Sequence, residues 1–297
     1  MKEIAIIGPT ASGKSDLAHQ IALENNAVIL SIDSLSIYKE IDIASAKPSE
    51  DELRQVRYFG VNLLDPDKHF SVSTFIDCYH TAKETAISEN KNLIIVGGTG
   101  FYLKSLLSGL SPLPEFSQTT IHKVTDLLND LSAAYTMLQK ADAEYMRNIE
   151  PTDAYRIEKM LLLYLESGQT PSEWFASHPA EPIITDLPLF EIAVERAVLR
   201  ERIVLRTRKM IELGLIDEVA ALEHHYGRKP NSMKAIGIVE VLEYFDGFAT
   251  REEMGEKIIT HTAQLAKRQQ TFNRHQFTQK KVLSPEEIYK EAGQLFF

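Results

Sequence analysis

Eight residues near the start of the chain, Gly8-Pro9-Thr10-Ala11-Ser12-Gly13-Lys14-Ser15, fit the pattern G-x-x-x-x-G-K-[ST]. They follow an apolar, strand-like run (Ile4 to Ile7) and precede a helical one (Lys14 to Glu24), the setting a phosphate-cradling loop requires. Glycines let the backbone wrap its N–H groups around an anion, the helix N-terminus adds its dipole, and the lysine adds a point charge. Gly8, Pro9, Thr10, Ala11, Ser12, Gly13, Lys14 and Ser15 are therefore the candidate diphosphate-binding residues, with the Ser15 hydroxyl as the candidate ligand for Mg²⁺.

A phosphoryl-transferring enzyme of this kind closes a later apolar strand with an aspartate that helps hold the metal. Here Leu93-Ile94-Ile95-Val96 runs into Gly97-Gly98-Thr99-Gly100 with no acid, and an aspartate closes an earlier run instead, in Ser31-Ile32-Asp33-Ser34. Catalytic groups gather at the carboxyl ends of parallel strands, so Asp33 and Thr99 are expected in the same crevice as the phosphate loop. Either residue type also suits a helix or turn cap. A phosphate cradle with one carboxylate and a Gly-rich hydroxyl turn suits a diphosphate that leaves better than a phosphoryl that moves. Asp33 would then be the general base for an incoming nucleophile. The loop alone would equally fit an ATP-dependent kinase, and the absent acid is the argument against one.

The elements that must position these groups alternate. Short apolar runs at Ile4–Ile7, Ala27–Ile32, Val61–Leu64 and Leu93–Val96 are separated by helical stretches, including Ser71–Glu89. Strands apolar on both sides, with helices between them, predict an α/β fold: a P-loop NTPase-like parallel sheet covered on both faces. After Ser111-Pro112-Leu113-Pro114 helical patterning takes over, the clearest helix running from Pro151 to Glu166 with Gly168 beyond it. A strand at Leu189–Val194 returns to the first pattern, followed by helices at Arg196–Leu213, Leu215–Tyr226, Met233–Phe245, Arg251–Gln276 and one capped by Ser284. The expected organisation is a core in residues 1–112, an all-helical insertion at 113–187, and core completion with a helical C-terminal region at 188–297.

The 297 residues include one cysteine, Cys78, which excludes a disulfide framework and reads as a small buried hydrophobe. No apolar run reaches a membrane span, and the start of the chain has no signal-peptide layout, so a cytoplasmic, membrane-free, monomeric protein is expected. Net charge is −10, which argues globally against nucleic acid, but its distribution does not. The windows Arg196–Lys209 and Lys267–Lys281 each carry a net +5. In the late helix Lys257, His261, Gln264 and Arg268 share one face, with Lys267, Thr271 and Arg274 on a neighbouring one. That pattern describes an RNA-contacting face, with Phe272 and Phe277 as stacking or anchoring groups, or else an ordinary solvated surface. Trp174 reads as a packing anchor, and His224-His225 lacks the companions a metal site needs.

Together these residues resemble the tRNA dimethylallyltransferase (tRNA isopentenyltransferase) family. Its ordered motifs have counterparts at Gly8–Ser15, Asp33–Tyr38, Ala46-Lys47-Pro48, Gly97–Tyr102, Arg202–Arg206 and Ala266–Gln269. The resemblance implies transfer of a dimethylallyl group from dimethylallyl diphosphate to N6 of adenosine 37, next to the tRNA anticodon. It implies Asp33, Thr99 and Arg206 as catalytic residues, with Ser34 assisting. It also implies diphosphate held with Mg²⁺ by the loop, and tRNA contacts from Asp33, Ser34, Leu35, Ser36, Lys267, Arg268, Gln269 and Arg274. By the same analogy the helical insertion clamps the anticodon stem-loop. Departures are Ser36 where the family has Gln, Ile238-Val239 for a common Tyr-Lys, Ala263 for Arg and Phe272 for Trp. They bear on the grip on tRNA, not on the chemistry.

Overall fold

In chain order, β1 (Glu3–Ile7) leads through the phosphate loop into α1 (Lys14–Glu24), followed by β2 (Ala27–Ser31), α2 (Glu50–Gln55), β3 (Tyr58–Phe59), α3 (Val72–Ser88), β4 (Asn92–Gly97) and α4 (Gly100–Ser108). Then come α5 (Gln118–Leu127), α6 (Leu131–Ala141), α7 (Ala143–Met146), α8 (Ala154–Ser167) and α9 (Pro171–Ser177). The chain closes with β5 (Leu189–Ile192), α10 (Arg196–Glu212), α11 (Leu215–Tyr226), a 3₁₀ turn (Asn231–Lys234), α12 (Ile238–Phe245), α13 (Arg251–Gln276), β6 (Lys281–Leu283) and α14 (Pro285–Phe296). The structure, a computed structural model, describes residues 1–296. It divides into one unit formed by Met1–Leu106 with the chain from Thr185 onward, and a second, Leu107–Ile184. The divisions fall a few residues before 113 and 187, the first of them within the last turn of α4.

The first unit is built on a six-stranded sheet of order β3-β2-β4-β1-β5-β6, every pair parallel. Because β4 inserts between β1 and β2, the carboxyl ends of β2, β4 and β1 stand side by side. Those ends carry Asp33, Gly97-Gly98-Thr99 and the phosphate loop. Ile4, Ile6, Ile29, Ile94 and Phe190 bury one sheet face against Leu17, Ala18 and Ile21 of α1 and Ile288 and Ala292 of α14. Each such side chain contributes about 1.5–3 kcal/mol of burial. A second apolar cluster joins the segment after β2 (Ile37, Tyr38, Ile41, Ala44) to α10–α13 through Met210, Leu215, Ile238 and Ile258.

The second unit has its own core, with Val124, Leu138, Met146, Ile157 and Leu161 buried. Trp174 is an anchor there: its indole N–H donates to the Pro112 carbonyl (2.9 Å) and its ring stacks on His178. Asp153, not Pro151, begins α8, its carboxylate accepting the Arg156 N–H, so Pro151 lies ahead of the helix.

Two other expectations fail for local reasons, and one strand had no expectation behind it. Val61–Leu64 is not a strand: Gly60 and Asn62 take left-handed φ values, leaving the two-residue β3 before them and a lone bridge from Leu64 to Tyr38. The helix expected over Met233–Phe245 breaks at Gly237 (φ 96°) and restarts as α12, with Glu240 accepting the Gly237 N–H. The edge strand β6 is three residues long with Lys281 and Val282 exposed, so no apolar run announced it.

Candidate active site

The phosphate loop holds its shape through backbone conformations few residues adopt. Gly13 (φ 87°) turns the chain into α1, and Ala11 takes φ 64°, a conformation costly for a side-chain-bearing residue and typical of ligand loops. Lys14 folds back, its Nζ donating to the Pro9 carbonyl (3.2 Å). Burial pushes the Lys14 ammonium down to about 8, partly opposed by the nearby Asp33 carboxylate; Arg206 pushes the same way as burial. Ser15, at the first turn of α1, is exposed beside it. As pH rises through about 8 the buried amine of the ligand-free protein loses its charge. The KM for a diphosphate substrate should therefore be flat below that pH and climb above it, which initial-rate measurements between pH 6 and 10 would show.

Side chains from two late helices brace the loop from outside. On α10, Arg202 Nη1 donates to the Ser12 carbonyl (2.9 Å), and one turn on Arg206 Nη1 donates to Thr10 Oγ1 (3.3 Å). Burial lowers the Arg206 pKa, and Asp33 offsets part of that shift. From α13, Gln269 Oε1 accepts the Thr10 N–H (2.8 Å), and its amide lies so close to Gly98 that a Cβ there would collide with Nε2. Gln269 thus ties α13 to both the phosphate loop and the β4–α4 turn.

Asp33 Oδ1 accepts the N–H groups of Leu35 (2.8 Å) and Ser36 (3.2 Å), which fixes the carboxylate as an Asx turn; its other oxygen has no hydrogen bond among the described residues. Ser36 is buried beneath this turn, its Oγ 3.1 Å from Ser31 Oγ and 3.4 Å from the Asp33 carbonyl. It supports Asp33 rather than facing a ligand. The capping alternative for Asp33 is therefore half right: one oxygen caps, the other is free.

Lys14, Asp33, Ser34, Leu35, Thr99, Arg206 and Gln269 line one cavity of about 290 Å³. Much of its remaining wall comes from residues the sequence did not single out: Ala44, Ser45, Met210, Ile236, Ile258 and Leu265, with Lys234 and Thr262 among them. Arg202 was visible as the first arginine of Arg202–Arg206, four residues from Arg206 and so on its face, a spacing that would have assigned it to the loop. Nothing in the sequence marked Glu218. From α11 its carboxylate accepts three successive backbone N–H groups, those of Asp42 (2.8 Å), Ile43 (2.7 Å) and Ala44 (2.9 Å), and so fixes the segment carrying Ala44 and Ser45. Glu218→Gln keeps the size but loses the charge and one acceptor. It should cost about 1–3 kcal/mol and speed amide exchange at 42–44 by roughly tenfold or more, read by hydrogen-exchange mass spectrometry.

The basic face of α13 is smaller than its composition suggests. Lys257 pairs with Glu243 (2.8 Å) and His261 with Glu240 (2.5 Å), tying α13 to α12. Lys280 donates to the carbonyls of Asn273 and Phe277 and so caps α13, and Lys281 pairs with Glu291. Phe277 is buried, and the half-buried Phe272 packs against Gly100 and edge-on to Phe277. Lys267, Arg268 and Arg274 remain exposed, with no ion pair among the described residues. Among those residues no cluster of three or more His, Cys, Asp or Glu could hold a metal. No described helix is long and apolar enough to cross a membrane.

The sequence model of the family described as IPP transferase matches residues 36–276. The chain belongs to the IPP transferase family. A curated relative named tRNA dimethylallyltransferase, from Sulfurimonas denitrificans, is 57% identical over 277 residues, 93% of each chain. One of the same name from a Sulfurovum species is 51% identical over 278 residues, covering 93% of this chain and 92% of its own. The solved tRNA isopentenylpyrophosphate transferase of Bacillus halodurans superposes with TM-score 0.72 at 27% identity, covering 99% of this chain and 96% of that one. A eukaryotic dimethylallyltransferase, solved in a study of its action on tRNA, gives TM-score 0.81 at 26% identity over 92% of this chain and 70% of that one. As an IPP transferase the protein is an enzyme, a prenyltransferase. The matched segment begins at Ser36, after the phosphate loop and Asp33, so for those residues this IPP transferase is read from its own geometry.

Proposed function

We propose that this IPP transferase moves the dimethylallyl group of dimethylallyl diphosphate to N6 of the adenosine next to the tRNA anticodon and releases diphosphate. The observation that carries the reading is the single cavity in which Lys14 and Arg206 at a phosphate loop meet one half-free carboxylate, Asp33. The N6–carbon bond forms as the carbon–oxygen bond to diphosphate breaks, and the amine proton passes to the free oxygen of Asp33. An exocyclic amine is a weak nucleophile because its lone pair is delocalised into the ring, so a base at that proton matters. The charge developing on the leaving diphosphate falls to Lys14, Arg206 and the loop N–H groups. Thr99 and Ser34 line the same space and assist at the reacting centre.

Mg²⁺ fits this donor set as an ion carried in by the diphosphate. Among the described residues the protein offers the exposed Ser15 hydroxyl and no group of three or more His, Cys, Asp or Glu, and Mg²⁺ characteristically keeps its waters and takes phosphate oxygens with few protein ligands. When bound there, the ion would neutralise diphosphate charge.

The reacting adenosine has to leave its stack, which costs least in a single-stranded loop such as the anticodon loop. Lys267, Arg268 and Arg274 offer phosphate contacts beside the site, and relatives of this chain carry the tRNA-modifying name. A tRNA substrate supports a cytoplasmic enzyme. Nucleoside mass spectrometry after incubating unmodified tRNA with the protein, Mg²⁺ and dimethylallyl diphosphate tests the proposal. N6-dimethylallyl adenosine in the tRNA is the expected product. Prenylated AMP or ATP with unmodified tRNA would overturn the substrate, and no prenylation of either would overturn the reaction.

A further inference from the structure

The cavity lining is chemically mixed. Thr10, Lys14 and Arg206 meet at the phosphate loop, whereas Ala44, Met210 and Ile258 belong to one apolar cluster, with Ser45, Lys234 and Thr262 also in the lining. On the function proposed above, a prenyl diphosphate partitions across it in one orientation only. Its hydrocarbon offers no hydrogen bonds and gains from the apolar wall, while its phosphates would lose water there without compensation. Met210 follows Arg206 by one turn of α10, so the helix that grips the phosphate end also supplies the wall beyond it.

That wall is held in place. A Cβ on Gly237 would lie 3.7 Å from Met210 Cε and 3.9 Å from the Ala44 methyl, so those two groups converge on one spot against the Gly237 backbone. Both residues are buried, Met210 at 7% and Ala44 at 5% exposure. The Ala44 segment cannot swing away easily, because Glu218 holds its three N–H groups. At about 290 Å³ the space is at or below the size of pockets that bury drug-sized ligands, about 300–1,000 Å³, and it must also admit the target amine.

We propose that Met210 and Ala44 form a stop that admits a five-carbon prenyl chain and excludes a ten-carbon one. The inference rests on the function proposed above and adds the residues that set chain length. Discrimination of this kind, by volume in an apolar pocket, is worth about 10–200-fold per group added.

The test is a competition between dimethylallyl and geranyl diphosphate for the same tRNA, read by nucleoside mass spectrometry. Wild type should yield the five-carbon product. Met210→Ala should raise the ratio of ten-carbon to five-carbon product by about tenfold or more. Ala44→Val, which thickens the stop, should raise the KM for dimethylallyl diphosphate and leave the KM for tRNA unchanged, so it tests the wall even if Met210→Ala does not fold. Thermal melting establishes which variants are folded. The stop is overturned if wild type transfers geranyl as readily as dimethylallyl, if folded Met210→Ala leaves the ratio unchanged, or if Ala44→Val raises the tRNA KM instead. Failure of wild type to transfer dimethylallyl to tRNA would be distinguishable from these results: it overturns the function, and the stop with it.

Discussion

Asp33→Asn should lower kcat by about 10²–10⁴-fold without unfolding the protein. The substitution is nearly isosteric, and the asparagine oxygen can accept the same two N–H groups, from Leu35 and Ser36, that hold the native turn. What disappears is the carboxylate oxygen that has no hydrogen bond among the described residues. The KM for dimethylallyl diphosphate should not rise, because a negative charge facing the phosphate loop is removed rather than added. Loss of that carboxylate also removes the attraction that partly offsets the burial of Lys14, whose pKa of about 8 should fall further. The alkaline rise in diphosphate KM should therefore begin at lower pH in the variant. Single-turnover rates, a melting curve and a pH series of KM together check this. Activity retained within tenfold would mean that Asp33 is a turn-former only.

Much of this site could be seen in the chain because its parts are local. The strand–loop–helix pattern around Gly8–Ser15 is contiguous, and α1, α11 and α13 begin and end where Gly, Thr and the apolar period say they should. Asp33 and Thr99 were placed in the crevice by a rule about strand ends. That rule works here because β4 pairs with both β1 and β2, an adjacency no local pattern encodes. The reading failed where partners come from elsewhere in the chain. Helical spacing put Lys257 and His261 on a face with Arg268, but Glu243 and Glu240 of α12 claim the first two. Nor does motif position reveal the bonds these residues make within the chain: Gln269, placed among the RNA contacts, also braces Thr10, and Ser36 lies under Asp33. The apolar half of the cavity escaped notice for the opposite reason. Ala44, Met210, Ile236 and Ile258 are ordinary core types, and only three-dimensional convergence gives them a role.

Arg206 offers the second large effect, and one of opposite sign on Lys14. Arg206→Ala removes a guanidinium that lines the cavity and braces Thr10, so the leaving diphosphate loses a donor where its charge develops. Removal of one such preorganised donor costs about 10²–10³-fold in kcat. Arg206→Lys should recover little of this, because an ammonium lacks the planar fork that reaches two oxygens at once. Arg206 also depresses the Lys14 pKa by like-charge repulsion, so in Arg206→Ala the alkaline rise in diphosphate KM should move to higher pH. Arg202→Ala is the informative comparison. It breaks the contact to the Ser12 carbonyl and loosens the same loop, but Arg202 does not line the cavity. Its effect should be smaller, with no upward shift of the pH limb. Equal losses in the two variants would mean that Arg206 acts only by shaping the loop. A larger loss with the shifted limb in Arg206→Ala alone would show a charge acting directly on the substrate.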